Sequence, residues 1–166
     1  MEFEMDRRSL LLGCAAVAGG AIAIGQRSAK AAPEHFAVEM TPAQWRARLN
    51  PTQFAILREQ ETERPWSSPL LNEHRRGIFA CAGCSQKLFD SSTKFESGTG
   101  WPSFYTPLAH AIATSRDASL PIEVRTEVHC GRCGGHLGHV FDDGPPPTGL
   151  RYCMNGLAMT FKAGTA

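Results

Sequence analysis

Near the C-terminus, Arg151-Tyr152-Cys153-Met154-Asn155 sets a thiol between a guanidinium and an amide. In a strand of period two, Arg151, Cys153 and Asn155 share one face. A fixed positive charge beside a thiol favours the thiolate, which is the nucleophilic form. A lone cysteine is more often a small buried hydrophobe than a reagent. Here Arg151 and Asn155 flank it, and His136 and His139 lie a dozen or so residues upstream. Histidine is the natural proton donor near neutral pH. In a regular strand His136 and His139 face opposite sides, so either the strand is distorted at Gly138 or only one of them reaches the thiol. Trp101 sits in a loop punctuated by Gly98, Gly100 and Pro102. A tryptophan there serves either as core or as the apolar wall of a small-ligand pocket.

Four more cysteines form two pairs, Cys81-x-x-Cys84 and Cys130-x-x-Cys133. Each Cys-x-x-Cys turn puts two sulfurs on one side of a tight loop, and two such turns complete the tetrahedron of a closed structural zinc site. Two disulfides remain an alternative in an oxidising compartment. A thioredoxin-like redox pair is another, although no βαβ pattern surrounds either pair.

The elements that position these residues are mostly short strands. Thr41-Pro42 and Asn50-Pro51 each read as a helix start, with the N-cap followed by proline at the first helical position. The two short helices carry Trp45, Leu49, Phe54 and Leu57 as apolar residues and are given packing roles only. From Gly77 the texture becomes β. Residues 78–89 read as a hairpin with the first cysteine pair at its tip. Ala111 to Thr114 reads as a short strand. Ile122, Val124, Thr126 and Val128 alternate as a half-buried strand leading into the second pair. His136 to Phe141 is a further strand, and Tyr152 to Phe161 closes the domain with an irregularity at Gly156. The expected fold class is mainly β, antiparallel sheets around one core with short N-terminal helices.

At 166 residues and 42% hydrophobic content the chain holds one domain plus an appendage. Residues 1–31 read as a cleavable export signal: Arg7-Arg8 ahead of an Ala/Gly-rich apolar run, then Ala29-Lys30-Ala31 as a cleavage site. This resembles a twin-arginine (Tat) signal and implies the Tat translocase as a transient partner and the periplasm as destination. Residues 32–40 read as a flexible leader and 41–163 as the functional domain. Removing 1–31 takes four basic and three acidic residues from the 17 and 16 of the whole chain and leaves thirteen of each. Charges are evenly mixed, so no nucleic-acid footprint is expected.

The motifs occur in a telling order: Cys-x-x-Cys, Ser97-Gly-Thr-Gly-Trp-Pro-Ser-Phe104, Cys-x-x-Cys, His136-Leu-Gly-His-Val-Phe141, Asp143-Gly-Pro and Arg151-Tyr-Cys-x-Asn155. From about Thr41 to Lys162 the chain resembles the peptide methionine (R)-S-oxide reductase family, MsrB. The resemblance implies that Cys153 attacks a sulfoxide sulfur and becomes a sulfenic acid. It implies that His136, His139 and Asn155 hold and protonate the oxygen, that Arg151 activates the thiol, and that Trp101 and Phe141 line the methyl pocket. Cys81, Cys84, Cys130 and Cys133 would bind one structural zinc. Expected partners are oxidised proteins and a thioredoxin-like or low-molecular-weight thiol reductant, with the enzyme a monomer. Two positions depart from the family pattern. Thr99 stands where many members carry a resolving cysteine, so Cys153 needs an external thiol or a recruited zinc ligand. Gly156 stands where serine is common and is expected to loosen the backbone. A zinc-ribbon interaction module and a different thiol enzyme remain as alternatives.

Overall fold

The computed structural model describes residues 35–164; the expected export signal, residues 1–31, lies outside them. Helix α1, Pro42–Arg48, and helix α2, Pro51–Glu59, start where the sequence places them. Thr41 and Asn50 accept the backbone N–H of Gln44 and Gln53, whose side chains accept from the cap backbones in return. Such caps contribute roughly 1 kcal/mol each. Helices this short do not persist alone. Buried Trp45, Phe54, Ile56 and Leu57 pin them to the body.

Strands β1 (Gly77–Cys81), β2 (Lys87–Asp90) and β9 (Met159–Ala163) form a three-stranded antiparallel sheet with β1 at its centre. Strands β3 (Lys94–Phe95), β4 (Ser103–Phe104), β5 (Ile112–Asp117), β6 (Arg125–Cys130), β7 (His136–Phe141) and β8 (Arg151–Met154) form a six-stranded antiparallel sheet ordered β3-β4-β8-β7-β6-β5. The fold is thus mainly β with two short helices, as expected. Phe79, Phe89 and Phe104 lie fully buried in the core. Phe89 stacks on Phe104 with centroids 4.3 Å apart, and Phe79 meets Phe104 edge-on at 4.9 Å.

Four expectations need correction. The strand expected from Ile122 begins only at Arg125, and Ile122 and Val124 are 98% and 56% exposed. Pairing with β5 ends at Asp117 opposite Arg125, so among the described residues no strand pairs with those before it. Sequence alternation reports a period but not a partner. The short strand at 111–114 is longer, reaching Asp117. The closing stretch 152–161 is two strands in different sheets, β8 and β9, joined by a 3-10 turn at Gly156–Ala158. Finally, residues 36–40 pack rather than trail. Val38 N–H donates to Arg132 O at 3.0 Å, and the Phe36 ring covers Gly134 and meets His129 edge-on.

Candidate active site

Cys153 lies in β8, an inner strand of the larger sheet. Its register partners are His139 on β7 and Ser103 on β4. With Thr62, Trp101, Arg125, Gly138, Phe141 and Asn155, the Cys153–His139 pair lines a pocket of about 110 Å³. The sequence named Cys153, His139, Trp101, Phe141 and Asn155, and the fold brings these five together.

The histidine question resolves at Gly138. The β6–β7 register shifts between Val128 and His129, so His129 faces His136 while Val128 faces Gly138, and Leu137 is the extra residue. Gly138 has φ +155°, and a Cβ there would drive into the Cys153 carbonyl. The bulge brings both imidazoles to one side, with ring centroids 5.5 Å apart. Only His139 lines the pocket. His136 is buried behind it, with Nδ1 2.7 Å from Glu127 Oε1. His136 holds the Glu127 carboxyl below its usual range, so Glu127 is a carboxylate and Nδ1–H donates to it. His136 Nε2 has no hydrogen-bond partner among the described residues. His139 Nε2 lies 2.7 Å from Asp117 Oδ2, and the Asp117 carboxyl is held low by Ser119 foremost and by His139 and Arg125 as well. Nε2–H therefore donates. Burial nonetheless pushes the His139 pKa below its ordinary value, outweighing the pull of Asp117. Nδ1 is left as the atom that takes up or gives a proton.

Arg151 is less directly placed than its sequence neighbourhood implied. Its Nε and Nη2 both bond Asp143, each at 2.8 Å, and its guanidinium lies 4.4 Å over the Phe141 ring. Asp143 chiefly, with a smaller part from Cys153, holds the guanidinium's pKa up. Arg151 thus braces Phe141 while keeping its charge near the thiol. Asn155 lies beyond the end of β8. Its Oδ1 accepts from Glu63 N–H at 3.0 Å and its Nδ2 donates to Leu137 O at 3.1 Å.

Glu63, which the sequence reading passed over, ties the site together. Its carboxylate accepts the backbone N–H of Gly156 at 2.6 Å and of Leu157 at 2.9 Å, and its carbonyl accepts from Trp101 Nε1 at 3.1 Å. Burial pushes its pKa up against those two N–H donors. Asp117 and Glu127 were missed too, and Asp143 entered only within the Asp143-Gly-Pro motif, with no role. Glu127 sits on the polar phase of the Ile122–Val128 alternation, as Glu123 and Arg125 do, so nothing local marked it. Gly156 is not loose: a Cβ there would strike Ser68, whose buried side chain fills the space. Thr99 stands beside the thiol, Oγ1 3.7 Å from Cys153 Sγ, at the end of a hydroxyl chain through Ser97 to buried Ser103.

The four paired cysteines converge as a separate centre. Their sulfurs all lie within 4.8 Å of one another, with Cys81 to Cys133 at 3.8 Å and Cys84 to Cys130 at 3.5 Å. A tetrahedron of 2.3 Å metal–sulfur bonds has edges of about 3.8 Å, so the group suits a four-coordinate ion. These separations are far longer than the roughly 2.05 Å of a disulfide, and they run between the knuckles rather than within them, so the arrangement favours a metal over the two-disulfide alternative. Helical arginines hold both knuckles: Arg48 Nε donates to Gly83 O at 2.6 Å and Arg58 Nη1 to Cys133 O at 3.0 Å. The helices therefore brace this centre as well as the core.

Comparison with known proteins agrees with this geometry. A family model described as the SelR domain matches residues 49–163. A protein of Agrobacterium fabrum named "Peptide methionine sulfoxide reductase MsrB" is 51% identical over 125 residues, covering 75% of this chain and 93% of its own length. A protein of the same name from Thiobacillus denitrificans is 54% identical over 121 residues, 73% of this chain and 92% of its own. One from Methanosarcina barkeri is 48% identical over 126 residues, 76% and 89%. With its thiol pocket and cysteine cluster inside the matched span, the chain belongs to the SelR-domain family of MsrB peptide methionine sulfoxide reductases.

Proposed function

We propose that this protein reduces methionine-R-sulfoxide in oxidised proteins to methionine. The observation that carries the reading is Cys153 Sγ opposite His139 in a pocket walled by Trp101 and Phe141. The Cys153 sulfur attacks the sulfoxide sulfur while His139 Nδ1 delivers a proton to the oxygen. The protonated oxygen then passes to Cys153 Sγ: a new Sγ–O bond forms as the substrate S–O bond and the transient S–S bond break, so methionine leaves as the thioether and Cys153 is left as the sulfenic acid. Trp101 and Phe141 receive the methyl group and Asn155 supports the polar side. Arg151 braces Phe141 and supplies positive charge. His136 acts from behind by fixing the bulge and the His139 ring.

Because Thr99 stands beside Cys153, a thioredoxin-like protein or a low-molecular-weight thiol attacks the sulfenic acid directly. One thiol forms a mixed disulfide with Cys153 and releases water, and a second thiol resolves it. Cys81, Cys84, Cys130 and Cys133 hold one structural zinc, which takes no part in these steps. Arg7-Arg8 and Ala29-Lys30-Ala31 support Tat export to the periplasm and cleavage after residue 31, which would set the protein to work on oxidised envelope proteins. The deciding experiment is turnover of the separate R and S epimers of a blocked methionine sulfoxide with dithiothreitol. Turnover of R alone, lost in Cys153→Ser, supports the reading. Turnover of neither by metal-loaded protein rejects it in favour of another thiol chemistry or a binding module.

A further inference from the structure

The pocket at Cys153, about 110 Å³, is far smaller than the roughly 300–1,000 Å³ that encloses a drug-sized ligand. It admits the end of one side chain, and the polypeptide attached to that side chain must lie outside. A second concavity of about 440 Å³ adjoins it, with Phe141 and Arg125 as the common wall. Val124, Val140 and Leu150 line it with apolar surface, and Glu123 and Asp142 edge it with carboxylates. Neither acid forms a salt bridge among the described residues, whereas Arg125 is already committed to Asp117 at 2.7 Å. The loop leading into this groove carries Leu120, Ile122 and Val124. These are three of the four exposed large hydrophobics among the described residues. The fourth, Trp66, stands beside Gly100, the chain neighbour of the pocket residue Trp101. Exposed apolar groups therefore lie near the thiol pocket at two places, a pattern that marks an interaction surface.

We propose that the groove beyond Phe141 holds the polypeptide segment next to the methionine sulfoxide, taking an apolar side chain against Val124 and Leu150 and a lysine or arginine against Glu123 and Asp142. This rests on the proposed reductase activity and names its substrate class: extended or unfolded segments with apolar and basic residues beside the oxidised methionine. The groove adjoins the catalytic pocket across Phe141 and Arg125, and its uncompensated negative charge selects basic over acidic neighbours. Leu120, Ile122, Glu123 and Val124 are all exposed, so substitutions at these positions leave the fold intact.

The test compares kcat/KM on three substrates, a blocked methionine sulfoxide, a peptide with leucine and lysine flanking the sulfoxide, and one with glycine and aspartate. The wild type is expected to prefer the leucine–lysine peptide. Val124→Ser is expected to lower kcat/KM on that peptide about tenfold, and Glu123→Lys to narrow or invert the lysine-over-aspartate preference by about two- to fivefold at low salt. Both are expected to leave the blocked amino acid unchanged. Equal turnover of the two peptides by the wild type, or equal loss on peptide and blocked amino acid in the variants, overturns the groove while leaving the reductase reading standing. No turnover of the blocked sulfoxide by the wild type overturns both.

Discussion

At Asp117 two forces on one imidazole are opposed. Burial lowers the His139 pKa and the carboxylate raises it, with burial the stronger. Asp117→Asn keeps a hydrogen-bond acceptor but removes the charge that favours imidazolium, so His139 is expected to titrate at a still lower pH. As proton donor, His139 works in its charged form, so the rise in kcat/KM toward acid pH would shift the same way. An NMR titration of the His139 ring read beside the pH profile checks both signs. Glu63→Ala leaves the buried N–H of Gly156 and the part-buried N–H of Leu157 without acceptors. Unsatisfied buried donors cost about 1–3 kcal/mol each, so a loss on the order of 2–5 kcal/mol in chemical denaturation is expected. Thr99→Cys places a second thiol where Oγ1 now stands 3.7 Å from Cys153 Sγ. One equivalent of sulfoxide is then expected to leave a disulfide between the introduced thiol and Cys153, visible in non-reducing mass spectrometry and absent from the wild type. At this scale the sequence was legible for the thiol and its pocket lining, since their residue types are unusual at those spacings. It was not legible for Glu63 or Asp117, because nothing local distinguishes a surface acid from one folded over a distant strand.

The bulge in β7 decides which histidine meets the substrate. It needs Gly138, where a Cβ meets the Cys153 backbone. Gly138→Ala therefore pushes β7 and β8 apart at the His139–Cys153 step. Activity is expected to fall at least about a hundredfold, because small misplacements at a reacting centre carry penalties of that size. Parallel thermal melts separate a shifted site from a lost fold. The helices show the opposite kind of legibility. Thr41-Pro42 and Asn50-Pro51 predicted both starts, because capping is satisfied within four residues. What the helices hold, through Arg48 on the first knuckle and Arg58 on the second, lies 35 and 75 residues away.

Across the whole molecule, the cysteine centre joins the two sheets. Cys81 ends β1 of the smaller sheet and Cys130 ends β6 of the larger. Metal bound only in the folded state adds its binding energy to stability. Native mass spectrometry is expected to find one zinc per chain, and stripping it with a thiol reagent and chelator is expected to lower Tm by more than about 10 °C. Activity is expected to fall with unfolding, not before it, since the pocket is lined by neither knuckle.

The sequence by itself determined the mainly β class, the two helix starts, the four-cysteine cluster and the identity of the thiol. Each is written in local spacing or in residue types rarely placed together without a reason. Only the tertiary structure decided that Ile122 and Val124 lie bare beside the site, that His139 and not His136 faces the pocket, and that Ser68 fills the space over Gly156. It also decided that Glu63 fastens Trp101 to the end of β8. The physical reason is one of range. Periodicity and capping act between near neighbours, whereas burial, partnership and charge at this site arise where strands far apart in the chain are hydrogen-bonded side by side.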